Sequence, residues 1–447
     1  MIQNTMSLIN QDVLVFVGKS HQLFEGVNLK QSQSFKDKLL LHEDLTDKNL
    51  RDKIKGSTRL FNQVKNLGYE SVLWVFDDNF SDREQVQILK KLMIFNTPFD
   101  TYIDKKKDPI ALFVYNVKAD VLEEATLRYE SVQYARTLVN EPANTLTPTA
   151  LAESATSWAE KHGIESEVYD LEKIKSLEMD AFLSVAKGSA ETPQFIVLRY
   201  MNNPNSDEIF GLVGKGVTYD SGGLAIKPAA SMASMHSDMG GSAAVLGAIG
   251  LLASKKAAVN AVAIVAACEN MISGTSFKNG DIIGPMSGKH IEIVNTDAEG
   301  RLTLADAIYY AHAKENVTHI VDVATLTGAA IVALGTQITA VVSNDEKAYA
   351  SLENASKDTA DKIWRMPVDD ELEAANHSKV ADLKNATVGG AGTTTAALFL
   401  KAFTEDTPWT HLDIAGTAFG KANQFNPEGA TGVGVELLAD MVIDYFK

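Results

Sequence analysis

Residues 208–223 read EIFGLVGKGVTYDSGG, and this stretch decides the fold. It begins as a short, near-continuous apolar run with no helical periodicity. That is the pattern of a strand buried on both faces, and a parallel sheet covered by helices produces such strands. The run then turns at once to Lys215, Thr218, Tyr219, Asp220, Ser221 and a glycine pair. In a parallel sheet, ligands bind outside the carboxyl ends of the strands, so chemically useful residues are expected to follow strands directly.

Working outward, similar runs recur: QFIVLRYM at 194–201, AVAIVAAC at 261–268, HIEIVNT at 290–296, HIVDVAT at 319–325 and ITAVVSN at 338–344. Between them lie helix patterns such as SAAVLGAIGLLAS at 242–254 and LTLADAIYYAHAK at 302–314. The alternation predicts a large α/β domain over 142–447, with a mostly parallel central sheet flanked by helices. Upstream, DVLVFVG, SVLWVF and PIALFVYNV mix with the helix-like STRLFNQVKNL and DREQVQILKKLMIF, which predicts a small α/β domain over 1–119. A helical segment over 120–141, stopped at Asn140-Glu141-Pro142, is expected to connect the two.

Composition narrows the function classes. With 447 residues and 45% hydrophobic content the chain can bury a large core. A net charge of −17, from 58 acidic and 41 basic residues, disfavours nucleic acid as a partner, because phosphates need a basic footprint. No run is long enough for a membrane helix, and the first 20 residues lack the pattern of a signal peptide, so the expected location is the cytoplasm. The single cysteine, Cys268, excludes an intramolecular disulfide and CxxC zinc sites, and it reads as a buried strand residue.

The residues that suggest chemistry gather at strand ends. Lys215, Asp220, Lys227 and Asp238 follow the strand EIFGLVG, and Asp297, Glu299 and Arg301 follow HIEIVNT. Four crowded carboxylates repel one another unless cations neutralise them, and two divalent ions would balance the charge. Hard oxygen donors suit zinc, manganese or magnesium, and a two-metal site is a common device for hydrolysis. If Asp297 and Glu299 lie in an extended turn, both side chains face the same way. Other features read blandly. GLVGKG spells neither GxGxxG nor a P-loop, no histidines form HExxH, and Ser221 lacks the GxSxG setting. Ser221 reads as a turn residue, His236 as a supporting or surface residue, and Asp322 as structural or as a support to the site.

The block NTDAEGRL at 295–302, with GKGVTYDSGGLAIKP at 214–228, resembles the leucyl aminopeptidase (cytosol aminopeptidase) family. NEPANTLTP at 140–148, VDVATLTGA at 321–329, VADLKN at 380–385, GGAGTTTAALFLKAF at 389–403 and PWTHLDIAGTAF at 408–419 extend the resemblance, in family order, over roughly residues 135–447. Residues 1 to about 120 carry no comparable block.

The resemblance implies a metal-dependent aminopeptidase acting on peptides with a free N-terminus, through attack of a metal-bridging water. Asp220 and Glu299 would touch both metals, Asp297 would complete one site, and Lys215 with Asp238 the other. Lys227 would be the electrophile facing the substrate carbonyl, and Arg301 would hold a bicarbonate ion serving as general base. Met235, Thr325 and Gly328 would line the pocket for a first residue such as leucine or methionine. A homohexamer is the family's usual assembly. Lys215 can ligate a metal only when neutral, and deprotonating an ordinary lysine at pH 7 costs about 4.6 kcal/mol, which a metal bond must offset. Two other classes stay open on the residues alone: two-metal phosphoester hydrolysis, and a non-catalytic scaffold or nucleic-acid-binding protein.

Overall fold

The computed structural model describes residues 2–5, 12–24, 33–35 and 38–447, and the chain divides into two compact units. Residues 6–11, part of the opening segment inspected for targeting signals, lie outside the described residues. The first unit comprises residues 1–133 and 421–428, and the second comprises 134–420 and 429–447. The division falls inside the helix Ala119–Asn140.

The first unit is built on a six-stranded sheet. Its strands are β1 (Ile2–Thr5), β2 (Val13–Val17), β3 (Gln33–Phe35), β4 (Lys38–Glu43), β5 (Ser71–Phe76) and β6 (Ala111–Tyr115), in the order β1-β6-β5-β2-β4-β3. All pairs are parallel except β3 with β4. β2, at the centre, is buried along its whole length, as its unbroken apolar run requires. The helices Leu50–Asn66 and Asp82–Asn96 begin at side-chain caps. Asn49 accepts from Asp52 N, and Ser81 with Glu84 forms a reciprocal capping box.

The second unit holds an eight-stranded sheet drawn from β7 (Glu165–Tyr169), β8 (Gln194–Met201), β9 (Phe210–Asp220), β10 (Asn260–Asn270), β13 (His319–Ala324), β14 (Ile338–Ser343), β15 (Lys362–Arg365) and β17 (Trp409–Asp413). A separate three-stranded sheet joins β11 (Ile282–Ile283), β12 (Ile291–Glu292) and β16 (Leu383–Lys384). The large sheet runs β15-β14-β17-β13-β9-β10-β8-β7. Four of its seven neighbour pairs are parallel, including the central ones around β9.

Helices cover both faces, and β9 shows how. A Cβ at Gly214 would meet Gly241 O and Ser242 Cα of the helix Gly240–Ser254 at 2.7 Å, whereas the side chain of the next residue, Lys215, lies against Gly300 of the helix Gly300–Glu315. Successive strand residues point to opposite faces, so each face has its own helix. The helix Gly240–Ser254 is buried on every side except at its last residue, which explains why its sequence is apolar and small throughout.

Two expectations need correction. The run HIEIVNT is not a strand of the main sheet; only Ile291 and Glu292 pair, in the small sheet, because the chain turns toward Asp297 almost at once. The strand that opens with Phe210 does not end before the charged residues but continues to Asp220. Lys215 therefore sits within the sheet rather than after it. Its charge is tolerated there because carboxylates face it.

Candidate metal centre

Three chain segments bring the charged residues together. β9 supplies Lys215 and, as its last residue, Asp220. The 3-10 turn Met235–Ser237 leads into Asp238, and the turn before the helix Gly300–Glu315 supplies Asp297 and Glu299. Glu299 adopts a helical backbone as the helix N-cap, so the pair does not lie in an extended turn. They converge nonetheless: ligand oxygens of Asp220, Asp297 and Glu299 all lie within 4.8 Å of one another.

Two lysines thread this acidic cluster. Lys215 Nζ lies 2.7 Å from Asp238 Oδ2 and 2.9 Å from Glu299 Oε1, and donates to Thr325 O at 3.2 Å. Lys227 Nζ lies 2.8 Å from Asp220 Oδ2 and 2.6 Å from Asp297 Oδ1. Lys215, Asp220, Asp238 and Glu299 are buried, while Lys227 and Asp297 are partly open to solvent. A buried centre with an accessible lysine at its mouth suits a substrate that approaches from the Lys227 side.

Charge is out of balance among these six groups, with four carboxylates facing two ammonium ions. Burial pushes the Asp238, Asp297 and Glu299 carboxyls above the ordinary range, neighbouring carboxylates add to the rise, and the lysines only partly counter it. For Lys215 and Lys227 burial works downward, but the surrounding carboxylates outweigh it and hold both ammonium groups above the usual lysine value. Asp238 Oδ2, Asp297 Oδ1 and Glu299 Oε1 are buried and have only lysine nitrogens as polar partners among the described residues. Oxygen-rich, under-neutralised and incompletely hydrogen-bonded, the cluster has the donor chemistry that divalent cations require.

Arg301 stands apart from this cluster. Its Nη1 donates to Asn385 O at 2.6 Å, and among the described residues it forms no ion pair. Burial lowers its pKa to about 10, partly opposed by Glu299 and Asp413, so it stays a cation at neutral pH. Its remaining N–H donors can serve a small anion.

Thr325 joins the cluster through its hydroxyl, which donates to Asp238 Oδ1 at 2.7 Å. Met235 is half-buried at the start of the turn whose end is Asp238, and Gly328 is exposed at the first position of the helix Gly328–Leu334.

Several supporting residues escaped the reading of the sequence. Asn270, ending β10, donates to Asp220 Oδ1 at 2.8 Å. Asn385 accepts from Val294 N and Asn295 N and donates to Asn295 O and Ala298 O, so it laces the loop that carries Asp297. Asp413 accepts from the Leu326 and Thr327 amides and the Thr327 hydroxyl, fixing the segment after Thr325. A lone Asn or Asp has no signature in sequence. In VADLKN and HLDIAG nothing marks Asn385 or Asp413 out from its neighbours.

The bland readings can be followed as well. Ser221 Oγ donates to Asn270 O and accepts from Gly223 N, a turn role. His236 packs edge-on against Phe419. Asp322 holds Trp409 Nε1 and His411 Nδ1 at 2.6 Å each within the sheet, and Cys268 is buried on β10. No helix is long and apolar enough to cross a membrane among the described residues.

Comparison with known proteins identifies the family. The family model described as cytosol aminopeptidase family, catalytic domain, matches residues 133–439. A probable cytosol aminopeptidase of Clostridium perfringens is 42% identical over 445 residues, covering 95% of this chain and 90% of that protein. One from Clostridium tetani is 47% identical over 86% of this chain and 79% of its own length. Another, from Treponema denticola, is 50% identical over 72% of this chain and 68% of its own.

Proposed function

Because the chain belongs to the cytosol aminopeptidase family, a family of metal-dependent enzymes that remove N-terminal residues from peptides, we propose a two-metal mechanism for it and assign the roles within its site. The observation that carries the proposal is the convergence of Asp220, Asp297 and Glu299 oxygens within 4.8 Å, threaded by two lysines.

Lys215, Asp220, Asp238, Asp297 and Glu299 would hold two divalent ions, zinc or manganese, with magnesium as a further option. When bound, the ions supply Lewis-acid polarisation and a water of lowered pKa, and bicarbonate supplies the base that accepts its proton. Lys215 serves as a ligand only after giving up its proton, so loading is coupled to proton release. Thr325, donating to Asp238, fixes that carboxylate's orientation.

Lys227 stays charged and is the electrophile. Its position at the accessible side of the cluster supports an approach to the scissile carbonyl, where an ammonium stabilises the developing oxyanion. Arg301 would hold the bicarbonate, which its unpaired N–H donors and its positive charge at neutral pH support. Met235, Thr325 and Gly328 would border the pocket for a leucine- or methionine-like first residue, since a flexible thioether suits apolar side chains. The cytoplasm, a homohexamer and a catalytic domain over 142–447 joined by a connecting helix over 120–141 to a small domain over 1–119 complete the reading.

The test uses metal-stripped protein assayed on leucine p-nitroanilide and N-acetyl-leucine p-nitroanilide, with zinc, manganese or magnesium added back and Glu299→Ala as control. Metal-restored cleavage of the free-amine substrate alone, lost in the control, is expected. Cleavage without metal, or equal cleavage of the acetylated substrate, would overturn the proposal.

A further inference from the structure

We propose that Asn270 is a positioning residue that decides which oxygen of Asp220 faces the metal site; this rests on Asp220 being a metal ligand. The Asn270 side chain is fully buried at the end of β10, beside Asp220 in the sheet register. Its Nδ2 donates to Asp220 Oδ1 at 2.8 Å and to Thr296 O at 3.0 Å. Both partners are oxygens, so the orientation of the amide is forced: only the nitrogen end can face them.

Asp220 Oδ1 also accepts from Gly222 N at 2.8 Å. Two N–H donors therefore occupy one oxygen, and Oδ2 is the oxygen turned toward Lys227. A carboxylate without such a clamp can rotate about its last torsion and present either oxygen. Asp220 cannot do so without breaking two hydrogen bonds.

The same amide joins two of the segments that bear the proposed ligands. Thr296 precedes Asp297, and its hydroxyl donates to Gly222 O and accepts from Ala225 N, each at 2.8 Å. Asn270 thus ties Asp220 at the end of β9 to the backbone beside Asp297 in the turn before the helix. Gly223, at φ +62°, closes over it so tightly that a Cβ there would stand 3.0 Å from Asn270 Oδ1. That Oδ1 has no hydrogen-bond partner among the described residues. Only the donor end of the amide is used, and it is used on the ligand.

The experiment measures Mn2+ affinity of metal-stripped protein by competition with a fluorescent chelator, for wild type, Asn270→Ala and Asn270→Asp, with far-UV circular dichroism as the folding control. Substituting an outer partner of a metal ligand typically weakens metal binding about 10–100-fold, and that loss is expected for Asn270→Ala. Asn270→Asp keeps the volume, so it covers the case of Asn270→Ala failing to fold. It also adds a negative charge, which on charge counting alone tightens Mn2+ binding, whereas a lost donor weakens it. Weaker binding by every variant that folds supports the proposal. Unchanged or tighter binding by either folded variant overturns it, as does a fall in melting temperature alone. Wild type run alongside separates the two levels: absence of Mn2+ binding there would remove the metal-site reading itself, independently of Asn270.

Discussion

Gly300 and Lys215 are packed so closely that a Cβ on Gly300 would lie 2.5 Å from Lys215 Cε and 2.8 Å from its Nζ. The glycine of the block NTDAEGRL is thus a steric necessity of the lysine that faces it across the sheet–helix interface. Gly300→Ala is expected to push Lys215 Nζ away from Asp238 and Glu299. A misplacement near 1 Å at a reacting centre costs about 100-fold, so kcat/KM on leucine p-nitroanilide should fall by about that factor while circular dichroism stays unchanged.

Lys227 is the cation expected to meet developing negative charge. Lys227→Met in metal-loaded protein should lower kcat by about 10²–10³-fold, in the range found for removing an oxyanion donor, with a much smaller change in KM. Steady-state kinetics at saturating metal would check this, and an equal rise in KM with kcat unchanged would point to simple substrate binding instead.

Arg301 should confer sensitivity to bicarbonate. Wild-type rates measured in carbonate-free buffer are expected to rise on adding bicarbonate. Arg301→Ala should be slow at every concentration and should not respond.

Asp306 makes stability depend on pH outside the candidate metal centre. Burial raises its carboxyl to about 7, with backbone N–H donors from Phe182 and Met286 only partly opposing the rise. A carboxyl whose folded pKa exceeds its unfolded value binds more protons when folded. Its contribution is then complete below the unfolded pKa of about 4 and is lost as pH rises through about 7. Urea unfolding from pH 4 to 8 should show this decline, and Asp306→Asn should flatten it.

Much of this was legible in the sequence because the decisive features are local. Buried strands such as Val13–Val17 and Asn260–Asn270 announce themselves by unbroken apolar runs, and Asp297, Glu299 and Arg301 sit within one recognisable octapeptide. What was not legible depends on the third dimension. β7 alternates burial weakly, β15 is four residues long, and WTHLD carries a tryptophan and a histidine that are buried with their ring nitrogens bonded to Asp322 on the neighbouring strand. The placement of HIEIVNT failed because an apolar run shows burial without showing which sheet receives it. Asn270 and Asn385 were invisible for the same reason: an amide's role is set by partners 50 and 90 residues away.

Lys215 and Asp220 are carried on β9, which has parallel neighbours on both sides and is buried at every position but one. Amide hydrogens in such a strand exchange only when the whole domain opens. The ligands proposed on β9 therefore share the lifetime of the fold itself, whereas Asp297, in a turn, can breathe on faster timescales. Hydrogen exchange with and without metal should accordingly leave the centre of β9 unmoved and register loading in the segment around residues 295–298, so that the enzyme senses its cofactor at the edge of a frame that is already set.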